Sequence, residues 1–126
     1  MLTRGTLVLL AVVSLAAGCS KDDSSANPTP VTDTLTIVVS ATGASPRNIV
    51  VPRGSQVTFV NETGTVHEMY SDPHPEHTDC PEFDTVGRLS SGQSRQTKNL
   101  TEPRTCRFHD HLEPFNDSLK GSVVIQ

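Results

Sequence analysis

The sequence predicts an all-β protein, a Greek-key β-sandwich of about seven short strands. Runs rich in valine, isoleucine, threonine and phenylalanine recur from Thr34 onward, and glycine and proline separate them. No apolar stripe of helical spacing extends beyond two turns. At 126 residues a second core would leave neither half enough apolar surface to bury, so we expect one core.

The seven predicted strands follow one another with turn residues between them. They span residues 35–40, 48–51, 56–61, 66–70, 94–98, 105–109 and 121–126. Gly43, Gly64 and a proline-rich loop at 72–81 are among the predicted turns. The pattern of short strands and turns favours an antiparallel sandwich. Because the chain has no tryptophan, we expect a core of mostly Val, Ile, Leu and Phe.

The first 33 residues have the pattern of a targeting segment and a linker. Residues 1–18 carry Arg4, an apolar run and small residues, which is typical of a signal peptide too short to cross a bilayer and stay there. Residues 15–19 resemble the lipobox of bacterial lipoproteins, which implies lipidation of Cys19; ordinary signal cleavage near Cys19 is the alternative. Residues 19–33 are polar and contain proline, as flexible linkers do, and residues 34–126 form the predicted domain.

These segments predict an exported protein of the bacterial cell envelope, attached to the membrane by its N-terminal lipid. The formal net charge is −4 and no basic run is present, so there is no electrostatic case for a nucleic-acid partner. In an oxidising compartment, Cys80 and Cys106 are more stable as a pair than as free thiols.

All five histidines lie between His67 and His111. On a strand, His109 and His111 project to one side and can share one metal ion, while Asp110 points the other way. Neutral imidazole is a common ligand of copper and zinc. His74 and His77 lie in the proline-rich loop, and two alternatives are open: they fold over the strand histidines and complete an all-histidine site, or they cap turns and bind nothing.

Nearby carboxylates can support such a site. Asp72, Glu76 and Asp79 lie in the same loop and offer acceptors that orient histidine ligands. A solvated acidic loop is the alternative for these three residues.

Several motifs resemble those of the cupredoxins, the small copper-binding sandwich family of the plastocyanins. Residues 51–61 read Val-Pro-Arg-Gly-Ser-Gln-Val-Thr-Phe-Val-Asn, and a short loop then leads to His67, the family's first copper-ligand position. Residues 89–94 and 119–125 resemble later strand motifs of the family. The segments Ser-Asp-Pro-His-Pro-Glu-His-Thr-Asp and Phe-His-Asp-His also resemble a divergent cupredoxin-like subgroup. The resemblance implies a cupredoxin-like sandwich that binds copper.

Two alignments with the family pattern compete at the last ligands. The first alignment, called the cysteine register, matches Cys106 to the family's copper cysteine and makes Cys106 and His109 its Cys-x-x-His pair. Together with His67 this pair gives a type 1 copper site, and Cys80 is left unpaired. That register leaves a long loop before Leu119.

The second alignment, called the strand register, matches residues 104–110 to the family strand that ends at the copper cysteine. It is favoured because the following loop then has the family's length. It places Cys106 on a strand tyrosine, Asp110 on the copper cysteine, Glu113 on the second histidine and Leu119 on the axial methionine. The blue-copper thiolate is then absent, and Cys106 is expected to form a disulfide with Cys80.

The predicted metal ligands are therefore His67, His109 and His111, with His74 and His77 as further candidates. The predicted function is copper handling or electron transfer, with a redox or copper-delivery protein as partner, and not enzymatic catalysis. Two alternatives remain: a metal-free structural or interaction sandwich, and a copper enzyme of the superoxide dismutase type, whose Phe-His-x-His strand this chain resembles. No histidine follows His111, whereas that enzyme family has further ligands downstream.

Overall fold

The structure is a computed structural model that describes residues 35–126. The predicted signal peptide at 1–18, and the linker at 19–33 with Cys19, lie outside the described residues. Within 35–126, no helix has the length and apolar character needed to cross a membrane.

The described residues form nine strands in two packed sheets, which confirms the all-β sandwich. The strands are β1 Thr36–Ser40, β2 Gly43–Ser45, β3 Asn48–Val51, β4 Thr58–Asn61, β5 His67–Ser71, β6 Gly87–Leu89, β7 Ser94–Gln96, β8 Thr105–Asp110 and β9 Gly121–Ile125. One sheet has the order β2-β1-β4-β7 and the other has the order β3-β9-β8-β5-β6. Two short 3-10 helices, Pro81–Thr85 and Asp117–Leu119, lie between strands.

The structure differs from the predicted architecture in two respects. Strands β2 and β6 were not predicted, because each has only three residues and begins with glycine, which is typical of turns. The sheets are mixed rather than antiparallel, since β1 pairs in parallel with β4 and β3 pairs in parallel with β9. These directions follow from how the chain crosses between the sheets, which the local sequence does not encode.

Valine, isoleucine, leucine and phenylalanine fill most of the space between the sheets, as predicted. Phe59 lies at its centre and makes edge-to-face contacts with Phe83 and Phe108, with ring centroids 5.8 and 5.2 Å apart. Phe83 comes from the 3-10 helix that follows the proline-rich loop. The core thereby holds the C-terminal end of that loop in place.

The loop that precedes β5 is ordered by one buried amide. The Asn61 side chain donates hydrogen bonds to the carbonyls of Thr65 and Leu89, at 2.7 and 3.0 Å. Its oxygen accepts the backbone amide of Thr63 at 2.9 Å. This network closes the loop before His67, where β5 begins.

Strand β8 is paired with β9 on one side and β5 on the other. In the β5–β8 pair, Tyr70 lies opposite His109 and Met69 lies opposite Asp110. Residues opposite each other in an antiparallel pair point to the same face. Tyr70 and His109 therefore share the outer face of the sheet, while Met69 and Asp110 face the other sheet.

Cys80 and Cys106 form the predicted disulfide, and both are fully buried. The bond joins the end of the proline-rich loop to β8 across a sequence separation of 26 residues. It fixes the loop to the strand that carries His109.

Replacing both cysteines by alanine should lower the free energy of unfolding by about 3–4 kcal/mol, because the unfolded chain loses a loop closure of this length. Urea unfolding at equilibrium measures the change. Reduction of the unchanged protein should raise its intact mass by about 2 Da, as expected for one disulfide. Equal stability of the two proteins would contradict the prediction.

Candidate metal centre

Four histidines meet on the outer face of the five-stranded sheet: His74, His77, His109 and His111. One ring nitrogen of each lies within 4.8 Å of those of the others. His109 belongs to β8, and His111 is the first residue after that strand. The other two histidines come from the proline-rich loop. Of the two alternatives for that loop, the structure contains the one in which it folds over the strand histidines.

His109 is the most buried member, with 2% of its surface exposed. Its Nδ1 lies 2.7 Å from Asp72 Oδ1, and since a carboxylate accepts, Nδ1 carries the proton. Nε2 is then the lone-pair nitrogen, and it is buried without any hydrogen-bond partner. Leaving such a group unsatisfied costs about 1–3 kcal/mol, so this nitrogen is suited to a metal.

His77 is held in an uncommon backbone conformation, with a φ of 55°. Non-glycine residues rarely adopt this left-handed region, and those that do cluster at functional sites. His77 Nδ1 donates to the carbonyl of Ser71 at 2.9 Å, so its Nε2 carries the lone pair and lies 2.9 Å from His111 Nδ1. Two nitrogens each about 2.0 Å from one ion are at most about 4 Å apart, so this pair already has a ligand spacing.

The Tyr70 ring packs against two histidines of the cluster, and the sequence analysis did not identify it as part of the site. Its ring centroid lies 4.6 Å from that of His77 and 5.7 Å from that of His111. The backbone amide of His111 donates to the carbonyl of Glu68 at 2.7 Å, which fixes the turn after β8. Only the β5–β8 register, which is a tertiary feature, indicates that Tyr70 and His109 share a face.

The three predicted supporting carboxylates have different surroundings. Asp72 orients His109, as expected of an acceptor behind a metal ligand. Asp79 pairs instead with Arg107, its Oδ2 lying 2.9 Å from Nη2. Glu76 is exposed to solvent.

Burial lowers the pKa of His109 below its usual value. The hydrogen bond and negative charge of Asp72 oppose this effect, while His77 and His74 add to it. His109 is therefore neutral near pH 7 and can offer its lone pair without first losing a proton.

His67 lies on the other face of the sheet, and the structure does not bring it together with His109 and His111. Its Nδ1 is 2.6 Å from Asp110 Oδ2, and its Nε2 is 2.9 Å from the Thr63 hydroxyl. The structure therefore groups His67 with Asp110 and Glu113, and not with the other two histidines of the predicted ligand set. The physical reason is strand alternation, because Asp110 and His109 are consecutive and point to opposite faces.

The positions that the strand register assigned to copper ligands do converge around His67. Ligand atoms of His67, Asp110 and Glu113 lie within 4.8 Å of one another. His67, Glu113 and Leu119 also line one open cleft of about 310 Å³. This donor set has no thiolate and no thioether, so it does not fit a type 1 copper ion.

The structure does not assemble the alternative type 1 set of His67, Cys106 and His109 either. Cys106 is bonded to Cys80 and cannot act as a thiolate. His67 and His109 are also separated by the sheet.

No protein-family model matches this chain, and no curated protein matches it in sequence. Several solved structures match it in three dimensions. A purple cupredoxin from Nitrosopumilus maritimus is 18% identical, with a TM-score of 0.55, and the match covers 72% of this chain and 98% of that one. A mutant plastocyanin of fern is 21% identical, with a TM-score of 0.56 and coverage of 72% and 99%. A mutant of amicyanin, in its Cu(I) form, is 17% identical, with a TM-score of 0.54 and coverage of 72% and 80%.

These matches show that the chain has the cupredoxin fold, as its strand motifs predicted. The matches concern the fold, whereas the four-histidine cluster is a feature of this chain's own residues. The cluster lies on a different face of the sheet from His67.

Replacing Asp72 by asparagine should weaken Cu(II) or Zn(II) binding by about 10- to 100-fold, the usual cost of losing a partner that orients a ligand histidine. Isothermal titration gives the affinities. Asp79→Asn is the matched control, because Asp79 lies in the same loop and pairs with Arg107. Equal losses in both variants would argue against the orienting role of Asp72.

The stability of the metal-free protein should decrease as the pH falls below about 6.5. The unfolded chain binds a proton at His109 near that pH, whereas the folded chain has a lowered pKa and resists protonation. His109→Gln should remove this part of the pH dependence. Urea unfolding of both proteins at about pH 7.5 and about pH 5.5 provides the comparison, and a steeper loss in the variant would contradict the assignment.

Proposed function

We propose that this protein binds copper as Cu(II) through His74, His77, His109 and His111. We further propose that it handles copper outside the cytoplasm, tethered to a membrane by lipidated Cys19. The observation that carries the proposal is the buried Nε2 of His109, which has no hydrogen-bond partner and belongs to a group of four imidazoles.

The chemistry of the donors favours copper among the common metals. Imidazole suits copper, zinc, iron and nickel, and at a given nitrogen site Cu(II) binds most tightly of the divalent first-row ions. Two of the proteins with the same fold support the choice, because one is described as a purple cupredoxin and another was solved in its Cu(I) form.

Copper handling is favoured over electron transfer. A fast electron-transfer copper centre uses a thiolate, and the one cysteine on β8, Cys106, is bonded to Cys80. Met69 is fully buried opposite Asp110, on the other side of the sheet from the cluster. Four nitrogen ligands without sulfur favour Cu(II) over Cu(I), which suits binding and delivery better than redox cycling.

The export and tethering parts of the proposal rest on the sequence. The lipobox-like residues before Cys19 and the linker at 19–33 support a membrane-attached protein whose partner delivers or receives copper. The disulfide between Cys80 and Cys106 is consistent with an oxidising compartment.

The test is a Cu(II) titration of the purified protein, followed by absorption, electron paramagnetic resonance and thermal unfolding. One copper ion per chain should bind, giving a weak visible spectrum and a higher melting temperature, because the ion stabilises only the folded state. His109→Gln should abolish the effect. His67→Gln is the matched control, since His67 is the other buried histidine bonded to an aspartate, and it should leave binding intact.

An intense band near about 600 nm, typical of a copper thiolate, would contradict the four-histidine site. Loss of binding in His67→Gln with retention in His109→Gln would restore the position around Asp110 as the metal site. If Cu(II), Cu(I) and Zn(II) all leave the melting temperature unchanged, the metal-free sandwich is supported instead. Superoxide consumption above background by the copper-loaded protein would support the enzyme alternative.

A further inference from the structure

We propose that His74 is the exchangeable ligand of the four-histidine centre, and that copper enters and leaves by exchange of His74 with an imidazole of a partner molecule. This inference rests on the proposed function, because it assigns different roles to the four ligands of that centre. It also names the chemistry of the partner: an accessible, neutral imidazole on a protein or peptide.

The other three histidines are fixed by the fold. His109 is almost fully buried and bonded to Asp72. His77 is half-buried and bonded through Nδ1 to the carbonyl of Ser71. His111 is half-buried, and its backbone amide donates to the carbonyl of Glu68 on β5. Each of these rings has one nitrogen or one backbone group committed to the protein, so its position is set in advance.

His74 differs from them in both exposure and bonding. It is exposed to solvent, and across residues 35–126 its side chain makes no hydrogen bond, although its ring centroid lies only 4.7 Å from that of His111. The loop is closed beneath it by two backbone hydrogen bonds, from His77 to Pro73 and from Asp79 to Asp72, each 2.7 Å long. The His74 side chain can therefore swing away without opening the loop or displacing His77.

The exchange is balanced in atoms and electrons. The lone pair of the His74 ring leaves the copper, and the lone pair of the incoming imidazole takes its place. Both rings are neutral and the ion stays Cu(II), so no electron, proton or further reactant is needed. Repeating the step with further imidazoles of the partner would replace the remaining three ligands one at a time, and buried His109 would be the last.

The experiment uses Cu(II)-loaded protein and free imidazole as the probe. His74→Ala should lower the copper affinity by at least about tenfold, the lower limit for disturbing a metal's surroundings. Added imidazole should then return the visible and paramagnetic resonance spectra to those of the unchanged protein, at concentrations that leave the unchanged protein's own spectra unaltered. The metal-free variant should melt like the unchanged protein, because His74 is exposed and makes no hydrogen bond.

His109→Ala is the matched control. It removes a buried ligand from beneath the loop, so a free imidazole must pass the loop to replace it and should restore the spectra less effectively than in His74→Ala. As a second measurement, copper transfer from the unchanged protein to a histidine-containing peptide should accelerate with peptide concentration, and His74→Ala should raise that rate further.

The outcomes separate this inference from the proposed function. Absence of copper uptake by the unchanged protein would overturn the proposed function itself. Normal uptake, with His74→Ala identical to the unchanged protein in affinity and spectra, would overturn only the role of His74. Two further results would also overturn only that role. One is that imidazole restores the copper spectra of His109→Ala as effectively as those of His74→Ala. The other is a copper-transfer rate that does not depend on peptide concentration.

Discussion

Strand β8 is hydrogen-bonded to a neighbour on each side, and the remaining features of the site depend on this constraint. Because both partners hold its register, the strand cannot shift by one residue, and its side chains keep fixed faces. His109 is held on the outer face and Asp110 on the inner face. His109 and Asp110 are adjacent in sequence, yet the two groups of candidate ligands to which they belong are separated by the thickness of a sheet.

On the inner face, Asp110 links β5 to β8. One oxygen is bonded to His67, and the other accepts the backbone amides of Glu68 and Leu112, each at 3.0 Å. Asp110 is fully buried, and leaving a buried polar group without its hydrogen-bond partner costs about 1–3 kcal/mol, so this carboxylate is a structural element of the sheet. In the strand register expected from the sequence, Asp110 takes the position of the family's copper cysteine. A carboxylate at that position offers oxygen donors instead of sulfur.

On the outer face, burial decreases from His109 through His77 and His111 to His74. The disulfide and Phe83 fix the end of the loop, and Asp72 fixes its beginning, so two loop histidines are held against two strand histidines. Positioning ligands before the metal arrives reduces the entropy lost on binding. A site that is rigid at one end and exposed at the other combines retention of an ion with a route for its exchange.

Local patterns in the sequence determined seven of the nine strands found in residues 35–126, the composition of the core, the cysteine pair and the shared face of His109 and His111. Each of these depends on the alternation of neighbouring residues or on the redox compartment. The sequence left His74 and His77 undecided and grouped His67 with the strand histidines, and it gave no sign of Tyr70. Those assignments depend on the register between β5 and β8 and on the closure of the loop over the sheet. Both bring together residues far apart in the chain, so only the tertiary structure decided them.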